Sequence, residues 1–390
     1  MLFDPARHEP LRQSHWDEAR ARDTIGRIVA EAERVFDPEA FWPAHPLDRV
    51  PSRSLYYGAA GVIWAIDFLS EQSAARSTRD WRPIVEALHA RPPAGIDADP
   101  YARDGYQHGA AGVALVGHRV TRSAVWIERA LACARSNLEH PSNELAVGTP
   151  GTLLAAVALH EASGDPRLHE VAEQGRASVL ARLRFEPEHG CKLWTQAFGA
   201  TTQMLGLAHG FAGNACALIR AGDSAQLAGD VERTLDVTAR IEDGLANWPQ
   251  SVGTPRPGRD AMLVQICHGA PGVIVALARL EPRPGSRLEE LLRMGGELVF
   301  RAGPLAKGSN LCHGTAGNGY AFLCLYRRTG ERVWLERARS FAMHAIGQWE
   351  DERAVHGRGR YSLWTGDVGL ACFLWDCVRE RDEFPTVHAF

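Results

Sequence analysis

Seven times along this 390-residue chain a Gly-x-x-Gly step opens an apolar run. The steps are Gly58/Gly61, Gly109/Gly112, Gly148/Gly151, Gly210/Gly213, Gly269/Gly272, Gly314/Gly317 and Gly366/Gly369. Their first glycines are 51, 39, 62, 59, 45 and 52 residues apart. Self-similarity at such a period is the signature of a repeat architecture, in which each unit stacks on its neighbours.

Each interval has room for two helices. The run after a glycine step, as in residues 62–69 or 273–280, is apolar on most faces and reads as a buried helix. A charged, amphipathic helix follows, as in residues 166–184, 227–247, 287–302 and 332–349. A tandem stack of such pairs can be an open solenoid or a closed ring. Inner helices that are apolar nearly all round favour closure, so the expected fold is all-α, an (α/α)7 double-ring barrel. Strand patterns are weak. The Gly/Pro-rich stretches 91–97, 249–258 and 281–286 read as loops between helices, and residues 1–390 as one barrel domain whose first 50 or so residues pack on its outside. Glycine permits positive φ and close backbone approach, and all seven loops are expected at one end of the ring.

Composition excludes several classes. The net charge of −4 leaves no basic footprint for nucleic acid. Lys192 and Lys307 are the only lysines. Eight cysteines in a chain this long make no disulfide scaffold, and Cys216, Cys324 and Cys372 sit in apolar helical runs. No apolar stretch is long enough for a membrane span and the first residues do not read as a secretory signal, so a reducing cytoplasm is the expected location.

Three glycine steps are preceded by ligand-type residues: Ala208-His209, Cys267-His268 and Cys312-His313. Zn²⁺ favours thiolate and imidazole, and a catalytic site keeps three protein ligands and one open position. Buried cysteine and histidine are also common without a metal, so spacing alone leaves both readings open. The repeat favours the metal, because it puts these residues at the same end of the barrel.

Ile-Cys-His-Gly-Ala-Pro-Gly (266–272) and Leu-Cys-His-Gly-Thr-Ala-Gly-Asn (311–318) resemble the paired motifs of the LanC-like family, which includes lanthionine cyclases and glutathione-binding LanC-like proteins. Ala-His-Gly-Phe-Ala-Gly (208–213) and the closing Tyr-Ser-Leu-Trp-Thr-Gly-Asp-Val-Gly-Leu (361–370) are similar to further motifs of that family. The resemblance implies a single Zn²⁺ on Cys267, Cys312 and His313, with His209 as acid/base. Glu144 stands where cyclases commonly carry an aspartate that works with that histidine, and His268 where several carry tyrosine. Lys307 and the tail Glu-Phe-Pro (383–385) match the glutathione-binding branch. The implied reaction is addition of a thiol, from glutathione or a peptide cysteine, to dehydroalanine or dehydrobutyrine in a peptide or protein. The alternative is a zinc- and glutathione-binding barrel without turnover. Glycoside hydrolases and terpene-type cyclases need paired carboxylates or aspartate-rich motifs, which these loops lack. His108, before the second step, reads as a packing residue.

Overall fold

A computed structural model describes residues 1–47, 52–91, 95–253 and 262–390. Parts of the expected loops 91–97 and 249–258 lie outside the described residues.

The first glycine of every step is the residue that precedes a helix. These seven helices are α2 (Ala59–Glu71), α4 (Ala110–Thr121), α6 (Thr149–Ser163), α8 (Phe211–Arg220), α10 (Ala270–Leu277), α12 (Thr315–Thr329) and α14 (Asp367–Arg379). Each packs on the next, and α14 packs on α2, so they form a closed inner ring. Outer helices alternate with them: α3 (Arg82–Ala90), α5 (Ala124–Ser136), α7 (Pro166–Ala181), α9 (Ser224–Thr238), α11 (Leu288–Ala302) and α13 (Arg332–His356). The seventh outer position is taken by α1 (Glu18–Val35), which packs on α14 and α13. Its buried residues, Ala21, Thr24, Ile25, Ile28, Val29 and Ala32, make one helical stripe. Fully burying each of its larger apolar side chains contributes about 1.5–3 kcal/mol.

The glycines answer to close packing more than to dihedral freedom. A Cβ on any second glycine would overlap the carbonyl oxygen six residues earlier, that of Leu55, Tyr106, Leu145, Leu207, Ile266, Leu311 or Leu363. The same Cβ would press on the matching residue of the preceding repeat: Gly112 on Leu55, Gly151 on Tyr106, and Gly61 on Leu363, which closes the circle. Backbone N–H groups extend the closure, donating from Cys312 to Trp364, from Trp364 to Tyr56, from Tyr56 to Gln107 and from Gln107 to Ala146. Among the seven first glycines only Gly269 has a positive φ, 101°. The inner helices therefore start at one level, and the residues just before them share that end of the barrel.

The described residues depart from expectation in two places. Two outer helices end sooner than their charge pattern suggests, while α13 runs on past the expected residue 349 to His356. Residues 166–184 are helical only to Ala181, and residues 227–247 only to Thr238. Three antiparallel hairpins form instead: β1 (Arg184–Glu186) with β2 (Cys191–Leu193), β3 (Gln196–Phe198) with β4 (Ala200–Thr202), and β5 (Arg240–Glu242) with β6 (Leu245–Asn247). In the last, Asp243 and Gly244 both have positive φ, 50° and 75°. That is the Asp-Gly signal of a two-residue hairpin, and it overrides the helical pattern around it. The chain's last residues then turn into the lumen. Phe384 and Val387 are fully buried there, and the Thr386 carbonyl and hydroxyl accept from Tyr106 Oη at 2.9 Å and Trp364 Nε1 at 3.1 Å.

Candidate active site

Two residues precede each inner helix's first glycine, and their side chains gather at the helix N-termini. In the fifth and sixth repeats the earlier of them are Cys267 and Cys312, both buried. Their Cα atoms are 6.1 Å apart and their sulfurs meet as a disulfide pair. His313 Nε2 lies 3.4 Å from Cys312 Sγ. All three ligand atoms fall within 4.8 Å of one another. Burial, helped by the positive charges of Lys307, His209 and Arg360, pushes the His313 imidazole down to about 4. It is therefore neutral at physiological pH, the form that offers a lone pair to a metal.

This donor set fits Zn²⁺: two thiols that bind as thiolates once reduced and one neutral imidazole, with His313 only partly buried, so that a fourth group can reach the set. A second group, Cys324, Asp382 and His388, also converges among the described residues. Its carboxylate is already shared by Arg279 and Arg327, whose charges oppose a cation.

In the fourth repeat the residue before the glycine is His209. Its Nδ1 lies 2.9 Å from Glu144 Oε2. Glu144 is fully buried and accepts two backbone N–H groups, from Ala146 and Val147. Burial disfavours the Glu144 charge, but the His209 hydrogen bond and charge and those two donors outweigh it and hold the carboxyl below its usual range. Burial likewise opposes the imidazolium of His209, and the Glu144 hydrogen bond and charge outweigh it, so its pKa is raised above 6.5. A carboxylate can only accept, so Nδ1 carries the hydrogen and Nε2 is the atom left to exchange a proton. The His209 side chain keeps 35% of its surface open.

The pair lies near the sulfur cluster, since the charge of His209 acts on His313. His268, next to Cys267, has its ring 6.1 Å from that of His209. Phe198, at the tip of the β3–β4 hairpin, meets His209 edge-on at 6.0 Å, and Tyr101 anchors that hairpin through the Ala197 carbonyl. Lys307 is exposed in the loop before Cys312, close enough to act on His313. The structure thus brings Cys267, Cys312, His313, His209, Glu144, His268 and Lys307 into one neighbourhood. It adds a residue that the motifs did not single out. Buried Tyr56 donates its hydroxyl to Cys312 Sγ. Aligning the repeats finds it, because Tyr56 precedes Gly58 by the two places that separate Cys267 from Gly269 and Cys312 from Gly314.

A family model described as lanthionine synthetase C-like protein matches residues 49–388. The chain belongs to the LanC-like family. Among similar LanC-like proteins, LanC-like protein GCL1 of Arabidopsis thaliana is 33% identical over 258 residues, 63% of this chain and 57% of that protein. Glutathione S-transferase LANCL1 of Danio rerio is 34% identical over 193 residues, 47% of this chain and 45% of that protein. The chain thus spans about half the length of the curated relatives it matches. A solved structure of nisin cyclase superposes with a TM-score of 0.60 at 14% identity, covering 95% of this chain and 99% of that one. At that identity the likeness speaks for the LanC-like fold. No helix among the described residues is long and apolar enough to cross a membrane.

Proposed function

We propose that this chain adds a thiol across the double bond of dehydroalanine or dehydrobutyrine in a peptide or protein, forming a thioether, with Zn²⁺ held by Cys267, Cys312 and His313. The observation that carries this reading is the pairing, at one end of the barrel, of a Cys₂His donor set with a hydrogen-bonded Glu144–His209 dyad. Kinship to a protein named nisin cyclase and to one named glutathione S-transferase supports the same class of chemistry. A thiol with pKa near ~8.5 is mostly protonated at neutral pH, and bound Zn²⁺ supplies the acidity that makes it a thiolate. Addition at the β-carbon leaves a carbanion equivalent at Cα, which needs a proton. His209 Nε2 is the donor, its imidazolium sustained by Glu144. Such a transfer is worth about 10²–10⁴-fold.

The dyad's charge coupling gives a signed pH dependence. A raised His209 pKa keeps the acid form available above pH 6.5, and the rate falls as pH rises through that raised value. Glu144→Gln removes the charge that raises it. The alkaline limb of kcat should then move to lower pH, measured by thioether formation from pH 5 to 9. An unmoved limb assigns the proton to another group.

For the thiol donor we propose glutathione. Lys307 sets an ammonium beside the mouth, and glutathione carries two carboxylates. Lys307→Ala should weaken glutathione binding by about two- to fivefold, the range of an exposed ion pair, and by more at low salt, with metal content unchanged. Isothermal titration at two ionic strengths reads this. The test of the whole proposal is a dehydrated, cysteine-containing peptide offered together with free glutathione. A peptide that gains the mass of glutathione supports intermolecular addition. Ring closure without that gain supports cyclisation, and no thioether at all removes the reaction.

A further inference from the structure

His108 has no part in the reaction so far. It holds, in the second repeat, the place that His209, His268 and His313 hold in the fourth, fifth and sixth, and it is half-buried at the same end of the barrel. Its ring stacks on Tyr57, with centroids 5.3 Å apart at 22°. It lies 4.9 Å from the ring of Tyr56, whose hydroxyl meets Cys312 Sγ. It also feels the charges of Glu144 and His209. His108 is therefore close to the tyrosine that touches the sulfur cluster and within reach of the dyad's charges, so an acceptor peptide that both groups can reach would pass near it.

Two features say what it does there. Its Nδ1 is buried with no hydrogen-bond partner and is closed to a substrate, so Nε2 is the ring nitrogen left to make a contact. Left unpaired, a buried atom such as Nδ1 costs about 1–3 kcal/mol, and a ring fixed by stacking cannot turn to relieve it. Burial also drives its pKa down to about 4, with Glu144 pulling it back and His209 adding to the fall. A ring so reluctant to take a proton makes a poor acid at neutral pH, but it carries an N–H in a fixed place. Fixed donors aimed at developing charge are worth most in water-poor sites, and a neutral imidazole is suited to that work.

We propose that His108 is a catalytic residue that donates a hydrogen bond to the carbonyl oxygen of the dehydroamino acid; this rests on the thiol-addition reading above. As the C–S bond forms at Cβ, the π pair of the C=C bond moves toward Cα and onto that oxygen, where the imidazole N–H meets it. The charge returns when Cα takes the proton from His209 Nε2, and the proton lost by the incoming thiol recharges His209. One S–H is added across one C=C, with nothing oxidised or reduced.

The test uses the full zinc-loaded chain, glutathione and a dehydroalanine peptide. His108→Leu should lower kcat by about 10²-fold, as for loss of one oxyanion donor. His108→Gln, which keeps an N–H, should recover to within about tenfold of wild type. Zinc content and the alkaline pH limb set by His209 should not move, and the melting temperature should not fall. Peptide affinity measured without thiol should change by less than about threefold. The role is overturned if His108→Leu keeps more than about a third of kcat, or if both variants fall equally. A wild-type protein that adds no thiol removes the underlying reading and this role with it; an active wild type with an indifferent His108→Leu removes the role alone.

Discussion

Cys312→Ala should leave the chain folded but without stoichiometric zinc, and should lower thioether formation by about 10³-fold or more. Metal analysis and a product assay on the same purified sample measure both. The size of the loss follows from what the residue holds. Cys312 is one of three donors whose ligand atoms lie within 4.8 Å, and two donors do not retain Zn²⁺ against solvent as three do. With the metal gone, the thiol must react from its small thiolate fraction. Alanine also removes the acceptor of the Tyr56 hydroxyl, so a drop of about 1–3 kcal/mol in stability should accompany it. Global unfolding should not, because the helices around Cys312 close their ring through glycine packing and backbone hydrogen bonds. This is unlike a zinc finger, whose fold depends on its metal. Full zinc occupancy in Cys312→Ala would remove the ligand assignment.

His209→Asn should behave in the opposite way: zinc retained, melting temperature within a few degrees, and thiol addition slowed by about 10²-fold or more. Asparagine keeps a polar group of similar reach beside Glu144 but cannot carry the exchangeable proton of Nε2. Glu144 is fully buried and loses the partner that helps keep it charged, so some loss of stability near neutral pH is expected. The Ala146 and Val147 donors limit that loss. The comparison is informative because Cys312 and His209 lie at the same end of the same ring. A metal role and a proton-transfer role then separate by assay. Equal loss of zinc in the two variants would place His209 with the structural residues.

The ring was legible because its cause is steric and repeats. A side chain at Gly112 or Gly317 would occupy the space of a carbonyl oxygen, so glycine recurs wherever an inner helix meets its neighbour, and the repeat then shows which residues share an end. Glu144 and His209 are 65 positions apart, yet they belong to adjacent repeats, and only the family motif suggested that they meet. Other features depend on packing that has no period. Nothing in the pattern of α1 says that it completes the outer ring beside α14. The tail around Phe384 and Thr386 has neither helical nor strand alternation, and its burial follows from the lumen left open by seven inner helices. Phe198 reaches His209 from the β3–β4 hairpin, whose three-residue strands are too short for an alternating pattern to show. Tyr56 carries no metal-site signal of its own, because tyrosine is not a usual ligand type, although its place in the first repeat is that of Cys267 and Cys312 in theirs.

The most direct test of the thiol-addition account is mass spectrometry of a dehydroalanine-containing peptide incubated with glutathione and the reduced, zinc-loaded protein, run beside Cys312→Ala and a protein-free control. The account predicts a peptide heavier by one glutathione per dehydroalanine in the wild-type sample, formed far faster than in either comparison. Equal rates in all three samples, with zinc present at one per chain in the wild type, would contradict it and leave a metal-binding barrel that does not perform this chemistry.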